Sequence, residues 1–342
     1  MSQPLPADLR DAAARVFDRI AAPLALIESA LREQLASDVA LVAAIGDHVL
    51  SSGGKRLRPA LLLLAAEMCG YSGPRRIQIG AAVELLHTAT LLHDDVVDTS
   101  MLRRGRPSAN AVWGNRRAVL AGDFLYARAS SMISEDGDAD LIEIFAATIG
   151  RMAEGELLQL ERSFDIGVTE ASYYDVIDRK SAALLAAASE AGAILGGVTR
   201  AERRRLATFG RELGLAFQLK DDALDYDTGA ETLGKRRYAD LLEGKITLPL
   251  LLTLKRCTSG ELERAAALLK AVARAGDASQ GGEAPDLTPI TELVAEHHGV
   301  ADTLRRARDH GDRAIECLAA FPETPARSAL IAAASFAVAR ER

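Results

Sequence analysis

Apolar residues recur at three- and four-residue spacing along almost the whole of this 342-residue chain, and strict alternation over the length of a strand is hard to find. A chain patterned in this way buries its apolar face as packed helices. The residue types agree: 49% of the chain is hydrophobic but only 4% aromatic, so the core must be assembled mainly from Ala and Leu, which favour helices and let them pack closely. The expectation is an all-α, single-domain bundle spanning 1–342, with about ten or more helices. Breaks are expected at Ser51–Gly54, Gly70–Pro74, Arg103–Gly114, Glu135–Gly137, near Gly167, at Gly196–Gly197 and at Asp227–Lys235. The Gly-, Ala- and Pro-rich stretch 275–290 reads as a flexible surface loop.

Charge and cysteine usage exclude several functions. A net charge of −7 provides no global basic field, which sets nucleic acid aside. Cys69, Cys257 and Cys317 are far apart and show no C-x-x-C spacing, so neither a disulfide framework nor a zinc site is expected, and a reducing cytoplasm fits. No apolar run approaches the roughly 18 residues that cross a bilayer, and the first twenty residues do not read as a signal peptide. The chain could still touch a membrane peripherally.

One acidic pattern occurs twice. In His93-Asp94-Asp95-Val96-Val97-Asp98 the helical advance of about 100° per residue puts Asp94 and Asp98 on one stripe, with His87 on nearly the same stripe. In Gln218-Leu219-Lys220-Asp221-Asp222-Ala223-Leu224-Asp225 the same arithmetic groups Gln218, Asp221 and Asp225. Both copies sit in strongly apolar helix sequence, where unpaired carboxylates need a compensating cation. Hard oxygen donors at one-turn spacing suit Mg²⁺ bridging to substrate phosphates. Either motif alone could be a solvated helix face; the pair argues for a shared cavity. Phosphate donors are also at hand. Gly53-Gly54-Lys55-Arg56-Leu57-Arg58-Pro59 opens a helix, Arg103-Arg104-Gly105-Arg106 follows the first acidic helix, and Lys180, Lys235 and Lys245 fall at or near helix ends.

Taken in order, Gly53 to Pro59, Asp94 to Asp98, Arg103-Arg104-Gly105, Lys180-Ser181, Phe217 to Asp225 and Gly244-Lys245 before Thr247-Leu248-Pro249 resemble the trans-isoprenyl diphosphate synthase family over roughly 20–340. The resemblance implies an all-α bundle around a deep central cavity, usually a homodimer. It implies condensation of isopentenyl diphosphate onto an allylic diphosphate, farnesyl diphosphate or similar. Asp94, Asp98 and Asp221 are then the direct Mg²⁺ ligands, with Asp95, Asp222 and Asp225 as supporting carboxylates. Lys55, Arg58, His87 and Arg104 correspond to the isopentenyl diphosphate site, and Arg103, Lys180, Gln218, Lys235 and Lys245 to the allylic diphosphate contacts. Ser181 stands where the family usually has Thr, which keeps the hydroxyl. Lys220 replaces a commonly apolar residue and lies off the acidic stripe. A lone helical Phe such as Phe217 is read as core.

Small residues at Ala89 and Thr90, one turn before the first acidic motif, resemble the long-chain group that makes quinone side chains; Met132 is a weaker candidate for the distal floor. A helical turn rises about 5.4 Å, comparable to one isoprene unit, and the expected product has roughly eight to ten such units. Rival readings are a shorter-chain, geranylgeranyl-type synthase, a di-iron carboxylate bundle suggested by Glu84-Leu85-Leu86-His87, a terpene cyclase, and a non-catalytic subunit of a heteromeric synthase. The di-iron site needs a second E-x-x-H, a cyclase does not need a second diphosphate site, and non-catalytic subunits typically lose acidic motifs that are whole here.

Overall fold

The computed structural model describes residues 7–51, 53–226, 238–277 and 286–339. The chain runs α1 (Ala7–Gln34), α2 (Ala40–Ser51), α3 (Leu57–Met68), α4 (Arg75–Val97), a two-stranded hairpin of β1 (Leu102–Arg103) and β2 (Arg106–Pro107), α5 (Ala109–Trp113), α6 (Asn115–Asp136) and α7 (Ala139–Glu161). Next come α8 (Glu170–Ile177), a π-helical turn (Asp178–Ala182), α9 (Ala183–Leu195), α10 (Arg200–Leu224), α11 (Ala239–Leu242), α12 (Leu248–Leu254), α13 (Ser259–Asp277), α14 (Thr288–Glu296), α15 (Gly299–Cys317) and α16 (Pro325–Ala339).

The expected helices start and stop for local reasons. Thr199 and Glu202 cap each other's backbone groups at the head of α10, Asp138 accepts from the Asp140 and Leu141 N–H groups at the head of α7, and Gly137 ends α6 in the left-handed region. Small residues set the packing distances. A methyl group on Gly192 of α9 would lie 2.6 Å from both the Ala65 Cβ and the Leu62 carbonyl of α3, so these two helices touch backbone to backbone. Leu61 to Leu64 of α3 are completely buried, as befits a central helix. Helix α4 packs on α6, α10 packs on α9 and α15, and α16 returns to lie against α1 and α3. Two hydrophobic clusters result. The larger takes Leu206, Phe209 and Leu213 from the first part of α10, the smaller takes Leu215 and Leu219 from its second part, and that one helix therefore joins them.

Two expectations change, and a third falls outside the described residues. The stretch read as a loop from Arg103 to Gly114 holds the hairpin and α5, because Arg104 (φ 52°) and Gly105 (φ 76°) form a tight turn with two positive φ angles, the geometry that closes a two-residue hairpin. The loop at 275–290 is shorter than expected: α13 continues to Asp277 and α14 begins at Thr288, while 278–285 lie outside the described residues. The break at Asp227–Lys235, and with it Lys235, also lies outside them.

Candidate active site

The bundle encloses a cavity of about 2050 Å³, walled by α3, α4, α6, α7, the π-helical turn, α9, α10, the α11 region and α16. Of the residues singled out in the sequence, Lys55, Arg58, His87, Thr90, Asp94, Asp98, Arg103, Arg104, Lys180, Ser181, Gln218, Asp221 and Lys245 line it. Phe217 lines it too, although the sequence reading had placed it in the core; it packs on the core while facing the cavity.

The first acidic helix shows how the face is chosen. Glu84, His87, Thr90, Leu91, Asp94, Val97 and Asp98 fall on one side of α4 and line the cavity. Asp95 is about 100° round the helix from Asp94 and Ala89 about 140° round, so both turn away from it. Asp95 is 3% exposed and accepts from Arg103 at 2.7 Å, which ties the hairpin to the end of α4. Ala89 and Met132 are buried in the core rather than on the cavity wall; Thr90 is the chain-length candidate that reaches it. On α10 the division is the same. Asp221 and Gln218 face the cavity, while the buried Asp222 accepts from the Tyr173 hydroxyl and from Gln218 Nε2 (2.8 Å). Asp225 accepts from the backbone N–H groups of Ala239 (3.2 Å) and Asp240 (3.3 Å) and so anchors α11. Lys220 is not among the wall residues.

Charge in the cavity gathers in two groups, one mainly acidic and one mainly basic. At the acidic end, burial lifts the Asp94 carboxyl to about 6, against the opposing pull of Lys180 and with further lifting by Glu156 and Asp98. Behind the wall, burial, with Asp240 as the next cause, lifts the Asp222 carboxyl above its ordinary value. Two ammonium groups moderate this excess of carboxylate: Lys245 Nζ lies 3.3 Å from Asp98 and 2.5 Å from Glu243, and Lys180 Nζ lies 2.5 Å from Glu156. Lys180 and Ser181 ride on the π-helical turn, which Gly155 of α7 lets approach closely, since a Cβ there would meet the Lys180 backbone nitrogen at 2.8 Å. The Ser181 hydroxyl donates to Gln218 at 2.6 Å, which joins the turn to α10. Asp94, Asp98 and Asp221 form a donor set of carboxylate oxygens only, from two helices facing one cavity, and this chemistry fits a hard divalent cation. Their ligand atoms do not converge within 4.8 Å of one another, so a cation there would complete its shell with substrate or water oxygens.

A second group of cavity residues is basic. Burial lowers the Arg58 guanidinium to about 10, Glu84 opposes that shift and Arg104 adds to it. The buried His87 imidazole is held well below its ordinary value, by burial first and then by Arg58, Arg104, Arg103 and Arg56, so it is neutral among cations. Such a cluster gains stability when an anion enters it. Gly54 makes room for it: a Cβ there would sit 2.7 Å from Arg104 Nη1. Lys55 lies with its Nζ 4.8 Å from the centre of the Phe336 ring of α16.

The structure also adds residues to the site. Arg56 donates to Glu28 (2.5 Å) and Glu84 (2.8 Å), with φ at +46°, and so fixes the loop that carries Lys55 and leads into α3, whose second residue is Arg58. Glu84 is therefore a partner of arginine and His87 stands among guanidinium groups, which removes the E-x-x-H iron reading. Glu156, Asp240 and Glu243 also line the cavity. Their only signal in the sequence was their acidity.

The family model described as polyprenyl synthetase matches residues 39–280. The octaprenyl diphosphate synthase of Escherichia coli is 42% identical over 328 residues, covering 96% of this chain and 99% of that protein. A crystal structure of a Caulobacter crescentus polyprenyl synthase complexed with calcium and isoprenyl diphosphate superposes with a TM-score of 0.89 at 42% identity, covering 96% of this chain and 98% of the other. A decaprenyl diphosphate synthase from Rhodobacter capsulatus gives 0.87 at 38% identity over 96% and 99%. An all-α bundle, a cavity lined by an acidic and a basic group of side chains, and relatives matched over nearly their full length lead to one conclusion: this chain belongs to the polyprenyl synthetase family.

Proposed function

We propose that this protein is an Mg²⁺-dependent prenyltransferase that condenses isopentenyl diphosphate repeatedly onto an allylic diphosphate such as farnesyl diphosphate. Its product is an all-trans polyprenyl diphosphate of about eight to ten isoprene units, the lengths named for its octaprenyl and decaprenyl relatives, destined for a quinone side chain. The observation that carries this reading is a single cavity lined by two anion-handling groups: carboxylates for a metal-bound diphosphate, and Arg58, His87 and Arg104 for a second diphosphate. An enzyme handling one diphosphate, such as a cyclase, has no use for the second group.

Bound Mg²⁺, held by Asp94, Asp98 and Asp221, would neutralise charge on the leaving pyrophosphate. Asp95, Asp222 and Asp225 stand behind these ligands and hold the hairpin, α8 and α11 in register with them. Lys180, Lys245, Gln218 and Arg103 bind the allylic diphosphate, joined by Lys235, and the two ammonium groups stabilise negative charge as the carbon–oxygen bond breaks. Lys55, Arg58, His87 and Arg104 hold isopentenyl diphosphate with its double bond toward the allylic carbon. The apolar wall formed by Leu61, Leu64, Leu185 and Phe217 excludes water from the cationic carbon. After the new carbon–carbon bond forms, a proton leaves the adjacent carbon for the released pyrophosphate, so no side-chain base is required.

No described helix is long and apolar enough to cross a membrane. We infer a cytoplasmic homodimer that meets a membrane only at product release; exposed Val112, Val119 and Leu120 on α5 and α6 support a pairing face. The test of the metal assignment is turnover in Asp94→Ala and Asp221→Ala. Each is expected to lose activity by about 10²-fold or more at unchanged helical content, and near-normal rates in either would overturn the assignment.

A further inference from the structure

The smaller hydrophobic cluster carries a group of side chains that the condensation does not use. Cys257 follows α12, Glu261 lies in the first turn of α13, and His297 stands at the C-terminal end of α14. One ligand atom from each comes within 4.8 Å of the other two, and among the described residues this is the one group of three or more metal-competent side chains that converges so closely.

Two of the three are held in place by other bonds. The Thr258 N–H and hydroxyl donate to Glu261 Oε2 at 2.7 and 2.8 Å, and Arg256 Nη1 donates to the His297 carbonyl at 2.5 Å. The imidazole itself is unsatisfied: Nε2 is enclosed by protein and has no hydrogen-bond partner, with Glu261 Oε2 at 3.7 Å. A buried ring nitrogen left without a partner costs about 1–3 kcal/mol, so its position calls for an explanation.

We propose that Cys257, Glu261 and His297 form a binding site for a thiolate-accepting divalent metal of the Zn²⁺ type, separate from the acidic cavity. One sulfur, one nitrogen and one oxygen donor make a set that Zn²⁺ accepts and that Mg²⁺, which selects oxygen, does not. Bond lengths of about 2.0–2.3 Å place tetrahedral ligand atoms roughly 3.3–3.7 Å apart, so these side chains need close by only about an ångström. Cys257 gives up its thiol proton to solvent on binding, and the fourth position is left to water. The ion would clamp the start of α13 to the end of α14, beside α12, which begins just after Lys245. Its role is structural, and condensation does not depend on it.

Titrating the metal-free, full-length protein with Co²⁺ while recording thiolate-to-cobalt absorption tests this directly. The cavity wall contains no cysteine, so metal bound there gives no such band. The expected result is a band that saturates at one Co²⁺ per chain, is displaced by Zn²⁺ and survives excess Mg²⁺. The band disappears in Cys257→Ser and persists in Cys69→Ser and Cys317→Ser. Affinity falls about tenfold or more in His297→Ala and in Glu261→Ala, Zn²⁺ raises the unfolding temperature of the wild type but not of Cys257→Ser, and Mg²⁺-supported turnover of all these variants stays within about twofold of wild type. The proposal is overturned by the absence of a thiolate band, by a band that persists in Cys257→Ser, or by an affinity unmoved in His297→Ala or Glu261→Ala.

Discussion

Thr90 lies four residues before Asp94 on the cavity face of α4, a rise of about 6 Å, little more than one isoprene unit from the acidic end. Its hydroxyl donates to the His87 carbonyl at 2.7 Å and so is taken up by the helix itself. Thr90→Tyr loses that bond, at a cost of about 0.5–1.5 kcal/mol, and sets an aromatic ring across the bore within the first units of hydrocarbon. The diphosphate-binding walls are untouched, so the first condensation should proceed within about threefold of the wild-type rate. Growth should then stop at about three or four units rather than eight to ten. The assay is mass analysis of the dephosphorylated products from one primer and excess isopentenyl diphosphate. An unchanged length distribution would refute the claim that this face of α4 borders the growing chain. Ala89→Tyr makes a useful contrast. Ala89 is wholly buried and turned from the cavity, so a ring there overpacks the core by about 1–3 kcal/mol. It should lower the unfolding temperature more than Thr90→Tyr does and shorten the product less.

Arg104→Ala should raise the Michaelis constant for isopentenyl diphosphate by about tenfold or more and that for the allylic substrate far less; equal effects on both would show that the acidic and basic groups do not divide the substrates. Gly54→Ala should reproduce a weaker form of this defect, because a methyl group 2.7 Å from Arg104 Nη1 is most easily relieved by moving that guanidinium. Burial alone would raise the Glu212 carboxyl, but hydrogen bonds and charge from His310 and Arg313 outweigh it and bring it from 4.5 down to about 2. A depressed carboxylate stabilises the fold above its unfolded value and loses that contribution as pH falls from about 4.5 through about 2, a change worth about 3 kcal/mol. Glu212→Gln should therefore lower stability in urea at neutral pH and flatten its loss in acid; an acid limb as steep as wild type would exclude this three-residue cluster as its source.

Much of this molecule is legible in the sequence because helical periodicity and the acidic pattern are local properties. The stripe holding His87, Thr90, Asp94 and Asp98 needs only a wheel, and the structure lays those residues along one cavity wall. The wheel also separates Asp95 from Asp94, yet which neighbour receives the second carboxylate depended on the hairpin. That hairpin was missed because its turn is Arg104-Gly105 rather than the Asn-Gly or Asp-Gly pair that usually announces two positive φ angles. Contacts between distant segments leave no local trace. Arg56 reaches Glu84 across 28 positions, which turned a suggestive E-x-x-H into the support of an arginine loop. Cys257, Glu261 and His297 come from three elements, and a search for paired cysteines passes over them.

The central claim is tested most directly by incubating the purified wild-type chain alone with Mg²⁺, farnesyl diphosphate and isopentenyl diphosphate and sizing the products. The account predicts efficient condensation that depends on the divalent ion and yields all-trans chains of about eight to ten units, the lengths named for its relatives. Products that stop at four units would contradict the long-chain reading. No condensation under these conditions would contradict the claim that this chain is by itself a complete prenyltransferase.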